Sequence, residues 1–201
     1  MRPTLAFGAL AAVTFVAAAS ACLPPPEPPG LEGPRAAGSV SVREISFEGQ
    51  GGPLESVCKA TGIERCFNAT DDDCNGLVDE GCGLPDGDVA LLAAWEDNPA
   101  DLDWTLFVPG GKKLDKQAKR AGAFRYVKDC PEGCFGQNVE AIVTDGTPAR
   151  GVYRAELRLK GAMGVELPVR VHVAARFGTR VEQTDVVFDL DHDARTITFT
   201  L

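Results

Sequence analysis

The chain has 201 residues and 44% hydrophobic content, enough for one packed domain of ordinary size plus appendages, which excludes wholesale disorder. A formal charge of −9 and a pI near 4.7 argue against nucleic acid and against anionic membrane surfaces as partners, and suit a solvated exported protein or a cation binder. Beyond the N-terminus, no stretch is long and apolar enough to span a bilayer.

Residues 1–21 read as a targeting segment. Arg2 gives a positive start, Leu5 to Ala19 is an uncharged, Ala-rich apolar run, and Ala19-Ser20-Ala21 places small residues before Cys22. This order resembles a bacterial lipobox, with Ala19 where leucine is usual. The resemblance implies a lipoprotein signal cut after Ala21 and lipidation of Cys22; the other reading is an ordinary secretory signal. Residues 22–38 open with Leu23-Pro24-Pro25-Pro26-Glu27-Pro28-Pro29-Gly30, which favours extended polyproline structure and cannot bury a core. They read as a tether. Leu23 is neither acidic nor a retention signal, so the expected location is the outer membrane, facing periplasm or cell surface. The expected partners are a bilayer, through Cys22, and a surface protein or glycan.

Residues 39–57 predict one strand and a linker: Val40, Val42, Ile45 and Phe47 alternate with one register slip, and Gly49 to Pro53 breaks the run. Residues 58–82 form a Cys-rich acidic module with too few apolar residues to fold without bridges or metal. Seven cysteines are an odd number, and assigning Cys22 to lipid leaves Cys58, Cys66, Cys74, Cys82, Cys130 and Cys134. Even numbers with export predict disulfides, and the spacing suits no zinc site. Four evenly spaced cysteines allow three pairings. The preferred one nests Cys66–Cys74 inside Cys58–Cys82, with Cys130–Cys134 closing a separate turn.

Within the module, Asp71, Asp73 and Asn75 alternate and Gly76 follows at once. A hard cation takes about six to eight oxygens, and alternate residues of a tight loop aim theirs inward. Leu77 would add its carbonyl, and Asp79 or Glu80 a closing carboxylate. Cys82 stands where an EF-hand loop has its bidentate glutamate. A second reading is an ion-free acidic turn pinned by disulfides. Mutual repulsion among five carboxylates favours the cation, and oxygen donors favour calcium. The stretch resembles the metal-binding motif C-x-N-G-x-D-D-D-C-[DN]-G-x-x-D-E of surface lipoproteins and large secreted proteins of myxobacteria and related Gram-negatives. Cys66, Asn68, Asp71, Asp72, Asp73, Cys74, Asn75, Gly76, Asp79 and Glu80 match, and Ala69 replaces the first glycine. The resemblance implies an extracytoplasmic calcium-type site.

Residues 88–201 alternate strand and turn. Strands are expected at Val89–Trp95, Leu102–Val108, Phe124–Val127, Val139–Val143, Val152–Leu159, Val165–Val173, Thr179–Phe188 and Thr196–Leu201. Lys112 to Ala121 reads as an exposed basic loop or a single turn. The fold expected is all-β, an antiparallel β-sandwich or jelly roll preceded by the disulfide-rich calcium-loop module. Asp101-Leu102-Asp103-Trp104-Thr105-Leu106-Phe107-Val108-Pro109-Gly110-Gly111 resembles the D-[LV]-D-L-H-[LV]-x-x-P-[DG]-G segment of a bacterial β-sandwich family related to pre-peptidase C-terminal domains. Phe135 to Glu140 and Arg150 to Tyr153 resemble two further segments, though Thr105 replaces the family's His and Gln137-Asn138 its Pro-Glu. The resemblance implies an accessory extracellular sandwich.

Asp101 and Asp103 share one side of a strand and are candidates for a second calcium site, with Asn138 or Glu140 nearby. The bland alternative is a solvent-facing strand edge. His172 reads as an ordinary strand residue, and no nucleophile or phosphate-loop motif is present. The function expected is therefore non-enzymatic: a lipid-anchored calcium-binding sandwich with a binding or display role. The alternative is an accessory module for carbohydrate binding or secreted hydrolase action. A solvent-exposed row of Trp95, Trp104 and Tyr126 would favour the alternative, and burial of the tryptophans the first reading.

Overall fold

Side chains alternate across a strand, so each period-two run presents one face to a core. The computed structural model describes residues 40–49, 51–56, 58–96, 99–131, 134, 136–161, 164, 166–189 and 193–201; the expected leader 1–21, the expected lipidation site Cys22 and the expected tether 22–38 lie outside the described residues. Among the described residues eleven strands run in order: β1 Glu44–Glu48, β2 Val89–Trp95, β3 Asp101–Phe107, β4 Lys113–Leu114, β5 Arg120–Ala121, β6 Phe124–Lys128, β7 Val139–Thr144, β8 Val152–Gly161, β9 Val169–Phe177, β10 Arg180–Phe188 and β11 Ala194–Thr200. Among the described residues there is no helix.

The strands form two antiparallel sheets packed face to face, in the orders β1-β11-β8-β3-β4 and β10-β9-β2-β7-β6-β5. Leu102, Trp104 and Leu106 of β3 meet Leu91, Phe124 and Ile142 of the other sheet in the main core. Tyr153 stacks on Phe199 with ring centroids 5.0 Å apart, and Phe124 and Phe177 close around that pair. Burying each of these large side chains contributes roughly 1.5–3 kcal/mol.

β2 differs from the alternating strands in being buried along its whole length. Leu91, Ala93 and Trp95 face the main core, while Ala90, Leu92 and Ala94 face a second cluster with Val139, Ala141, Val143 and Ala174. Ala69 and Val78 of the cysteine module complete that cluster, with Phe67 and Leu84 against it. The module therefore covers the outer face of the second sheet. A continuous apolar run in β2 is the sequence counterpart of being covered on both sides. The path to this face begins at β1, continues through bridges from Gly51 to Val186 and from Glu55 to Gln183 on the edge of β10, and enters the module at Cys58.

Two expectations change. The stretch from Lys112 to Ala121 contains β4 and β5, which pair with β3 and β6 because Leu114 and Ala121 are anchored in the core. The strand expected from Val165 begins only at Val169, after Pro168, whose ring nitrogen has no hydrogen to donate to a ladder, and it runs on to Phe177.

Candidate metal centres

The module's cysteines are bridged, but not in the nested arrangement. The pairs are Cys58–Cys74 and Cys66–Cys82, each spanning 16 residues, so the two loops interlock; Cys130–Cys134 forms as expected. Nesting would have closed a short inner loop around Asp71 to Asp73. Interlocking leaves that segment open to collect partners from residues 61–68.

Those partners explain most of the acids. Asp79 is fully buried, and its two oxygens accept the N–H groups of Asn68 and Ala69, both at 3.1 Å. Asp72 accepts from the Thr61 hydroxyl at 2.7 Å, from the Arg65 N–H at 3.1 Å and from the Asn68 amide at 2.8 Å. Burial raises the Asp72 carboxyl, but these donors outweigh it and hold the group below its ordinary value. Four non-glycine residues, Phe67, Ala69, Cys74 and Asp79, have positive φ, a conformation costing roughly 1–3 kcal/mol each when nothing enforces it. Bridges and carboxylate bonds enforce it here. Gly76, at φ +84°, lies so close to the Thr179 carbonyl that a Cβ would stand 2.9 Å from it.

Replacing Asp79 with Ala strands two buried N–H donors and should cost about 2–4 kcal/mol of unfolding free energy. Asp79→Asn, which keeps one acceptor, should cost less. Urea unfolding of the intact chain reads both, and a loss below about 1 kcal/mol for the alanine variant would refute the assignment.

What remains for a cation is a smaller group. Glu64, Asp71 and Asp73 each bring one carboxylate oxygen within 4.8 Å of the others. Asp71 is buried and accepts N–H bonds from Asn75 at 3.0 Å and from Gly76 at 2.9 Å, so the D-x-D-x-N-G loop closes as its sequence suggests. Asp73 is exposed and accepts from both the backbone and the side chain of Asn75, at 3.1 Å. Asn75 turns its oxygen to the Leu77 N–H and its amide hydrogens to Asp73 and Glu80. Glu80 Oε2 is buried with no hydrogen-bond partner.

Of the six expected ligands, Asp71 and Asp73 converge and Glu80 adjoins them through Asn75. Asp79 is committed to backbone donors, and Leu77 is seen here as an N–H donor with a buried side chain. Glu64 was not anticipated. It lies outside the D-x-D-x-N-G pattern, and only the fold brings it back to accept the N–H groups of Asp72 at 2.9 Å and Asp79 at 2.8 Å. Burial, with repulsion from Glu80, pushes its carboxyl up to about 7 despite those bonds. Burial also raises Asp71 and Asp79.

The second expected pair stays together on Lys116, which meets Asp101 at 3.4 Å and Asp103 at 2.9 Å, but only the buried Asp103 joins Asp129 and Glu140 in another group of three carboxylates within 4.8 Å. Glu140 therefore lies beside Asp103, and Asn138, the other residue expected nearby, has its amide engaged elsewhere. Asn138 accepts the Cys134 N–H at 2.7 Å and donates to the Glu96 carbonyl at 3.0 Å, holding the turn of the third disulfide. Glu140 accepts from the Tyr126 hydroxyl and from the Cys130 N–H, and burial drives its carboxyl up to about 9.

His172 pairs with Asp185 at 2.7 Å in a groove of about 430 Å³ between the module and the second sheet, lined also by Phe67, Trp95 and Arg170. Both groups consist of carboxylates alone, a donor set that could hold a hard cation. No family model, curated protein or solved structure matches this chain.

Proposed function

We propose that this chain is a lipid-anchored, extracytoplasmic, non-enzymatic β-sandwich protein that binds calcium in its cysteine module and serves a binding or display role at the cell surface. The observation that carries the reading is the convergence of Glu64, Asp71 and Asp73 in a module closed by two disulfides. Disulfides suit an oxidising compartment outside the cytoplasm. The lipobox-like Ala19-Ser20-Ala21-Cys22 and the proline tether support anchoring. Trp95, Trp104 and Tyr126 are buried, which favours this reading over a sugar-stacking accessory module.

Two arms of one experiment test it. Asp73 is exposed, so Asp73→Asn should leave the fold intact while weakening calcium binding, which we place in the roughly 10⁻⁴–10⁻³ M range of extracellular modules. Calcium at ten times the dissociation constant should stabilise the intact chain by about 1.4 kcal/mol, and the variant by less. Separately, Cys22→Ser should release the protein from membranes washed with salt. Equal calcium response in both chains removes the metal reading, and a Cys22→Ser protein that still pellets removes the anchor.

A further inference from the structure

Strand pairing brings four carboxylates together where the two sheets meet. β4 pairs with β3 only at Leu106 and Phe107, so the first half of β3 has no β4 neighbour, and a bulge falls between Asp101 and Leu102. Lys116, from the connection after β4, reaches Asp103 at 2.9 Å and Asp101 at 3.4 Å. From the other sheet come Asp129, just past β6, and Glu140 in β7. The Trp104 backbone N–H donates to the Tyr126 hydroxyl at 3.2 Å, and that hydroxyl donates to Glu140, so the carboxylates sit on a link that already crosses between sheets.

Acidic groups often gather without an ion, but this one is left incomplete. Asp103 is 3% exposed, and its Oδ1 has no hydrogen-bond partner. The Oδ1 atoms of Asp129 and Asp101 are also buried without one. Leaving a buried charged acceptor unsatisfied is costly, and proteins rarely retain one without a compensating group. Charge points the same way. Asp101, Asp103 and Asp129 face two ammonium groups, Lys116 and the more distant Lys160 at 3.9 Å from Asp103, leaving one formal negative charge even with the Glu140 carboxyl neutral.

We propose that Asp103, Asp129 and Glu140 bind one divalent hard cation that clamps β3 of one sheet to β6 and β7 of the other. Every donor is a carboxylate oxygen, which selects calcium, magnesium or manganese over zinc or copper. Asp101 stays on the rim, held by Lys116. The Cys130–Cys134 bridge keeps the Cys130 N–H on Glu140, so the third disulfide supports the ligand shell. The site shares no residue with Glu64, Asp71 and Asp73, so it stands or falls independently of the module's calcium.

Calorimetric titration of calcium, and then manganese, into the chelator-stripped intact chain tests the clamp against Asp129→Asn, Glu140→Gln and Asp73→Asn variants. Glutamine at 140 keeps the shape that meets Tyr126 and Cys130, so this variant decides the matter if Asp129→Asn does not fold. The wild-type chain should take up two ions. Asp129→Asn and Glu140→Gln should each weaken one of them by more than about tenfold, the loss expected even for a residue that only supports a ligand. Asp73→Asn should weaken the other. A wild-type chain that binds one ion, weakened by Glu140→Gln, upholds the clamp and removes the module's metal. Glu140→Gln isotherms that superimpose on wild type overturn the clamp, as does a wild-type chain whose only ion is lost with Asp73.

Discussion

Replacing Cys58, Cys66, Cys74 and Cys82 together by serine should lower the unfolding free energy by about 4–6 kcal/mol. Each bridge closes a loop of 16 residues, and a loop of that length is worth about 3 kcal/mol through the entropy it removes from the unfolded chain. Because the loops interlock, either bridge alone still constrains part of the other's span. Removing only Cys58–Cys74 should therefore cost less than half of the combined loss. The larger consequence is packing. Without its bridges the module has little to hold Phe67, Ala69 and Val78 over the second sheet, and Leu92, Val139 and Val143 would meet water. The four-serine protein should bind a hydrophobic dye and aggregate at temperatures the native chain tolerates. Guanidinium unfolding measures the first effect and dye fluorescence the second. A combined loss below about 1 kcal/mol would show that acids and packing hold the module without its bridges.

In chelator, stability should fall as pH rises from about 5 to 9. Glu140 is the main cause. Burial raises its carboxyl in the folded protein to about 9, while an unfolded chain releases that proton near the ordinary glutamate value of 4.5. The folded state therefore holds the extra proton across this interval. The stabilisation is complete below the lower value and is lost as pH rises through the upper one. Asp129 at the end of β6 and Asp103 on β3 also oppose ionisation of Glu140, while the Tyr126 hydroxyl and the Cys130 N–H donate to it and favour the charged form. Glu64, raised to about 7, adds to the same trend over the lower half of the range. Asp72, held low, matters only in acid. The loss should be on the order of a few kcal/mol, or about 5–10 °C in melting temperature for a chain of this size. Glu140→Gln carries no titrating group, so its melting temperature should fall less over the same interval. Scanning calorimetry at pH 5, 7 and 9 in chelator decides the question. Wild-type and Glu140→Gln curves with equal slopes would exclude Glu140 as the source.

Much of the sandwich was legible residue by residue. Val152 to Leu159 and Thr196 to Leu201 alternate, and both became strands within one or two residues of their expected ends. Alternation is a local property, and the core requires only that one face be apolar. Lys112 to Ala121 reads as an exposed loop or a single turn because two-residue strands carry no period. Leu114 and Ala121 join the sheets only because β3 and β6 are already there to receive them.

Cysteine count and acid content likewise predicted bridges and a cluster of carboxylates, since both follow from residue type. Which cysteines pair was not legible, because four equally spaced thiols differ only in where the fold carries them. The carboxylate groups show the same division. Asp71 and Asp73 are neighbours whose oxygens a short turn can converge by itself. Glu64 reaches them only by a return of the chain, and Asp129 and Glu140 reach Asp103 only because one sheet packs on the other. Sequence by itself determined the strands, the presence of disulfides and the oxygen chemistry, each a matter of composition and spacing within a few residues. Tertiary structure alone decided the disulfide partners, the covering of β2 by the module and the membership of both carboxylate groups, because those depend on contacts between segments that no local pattern relates.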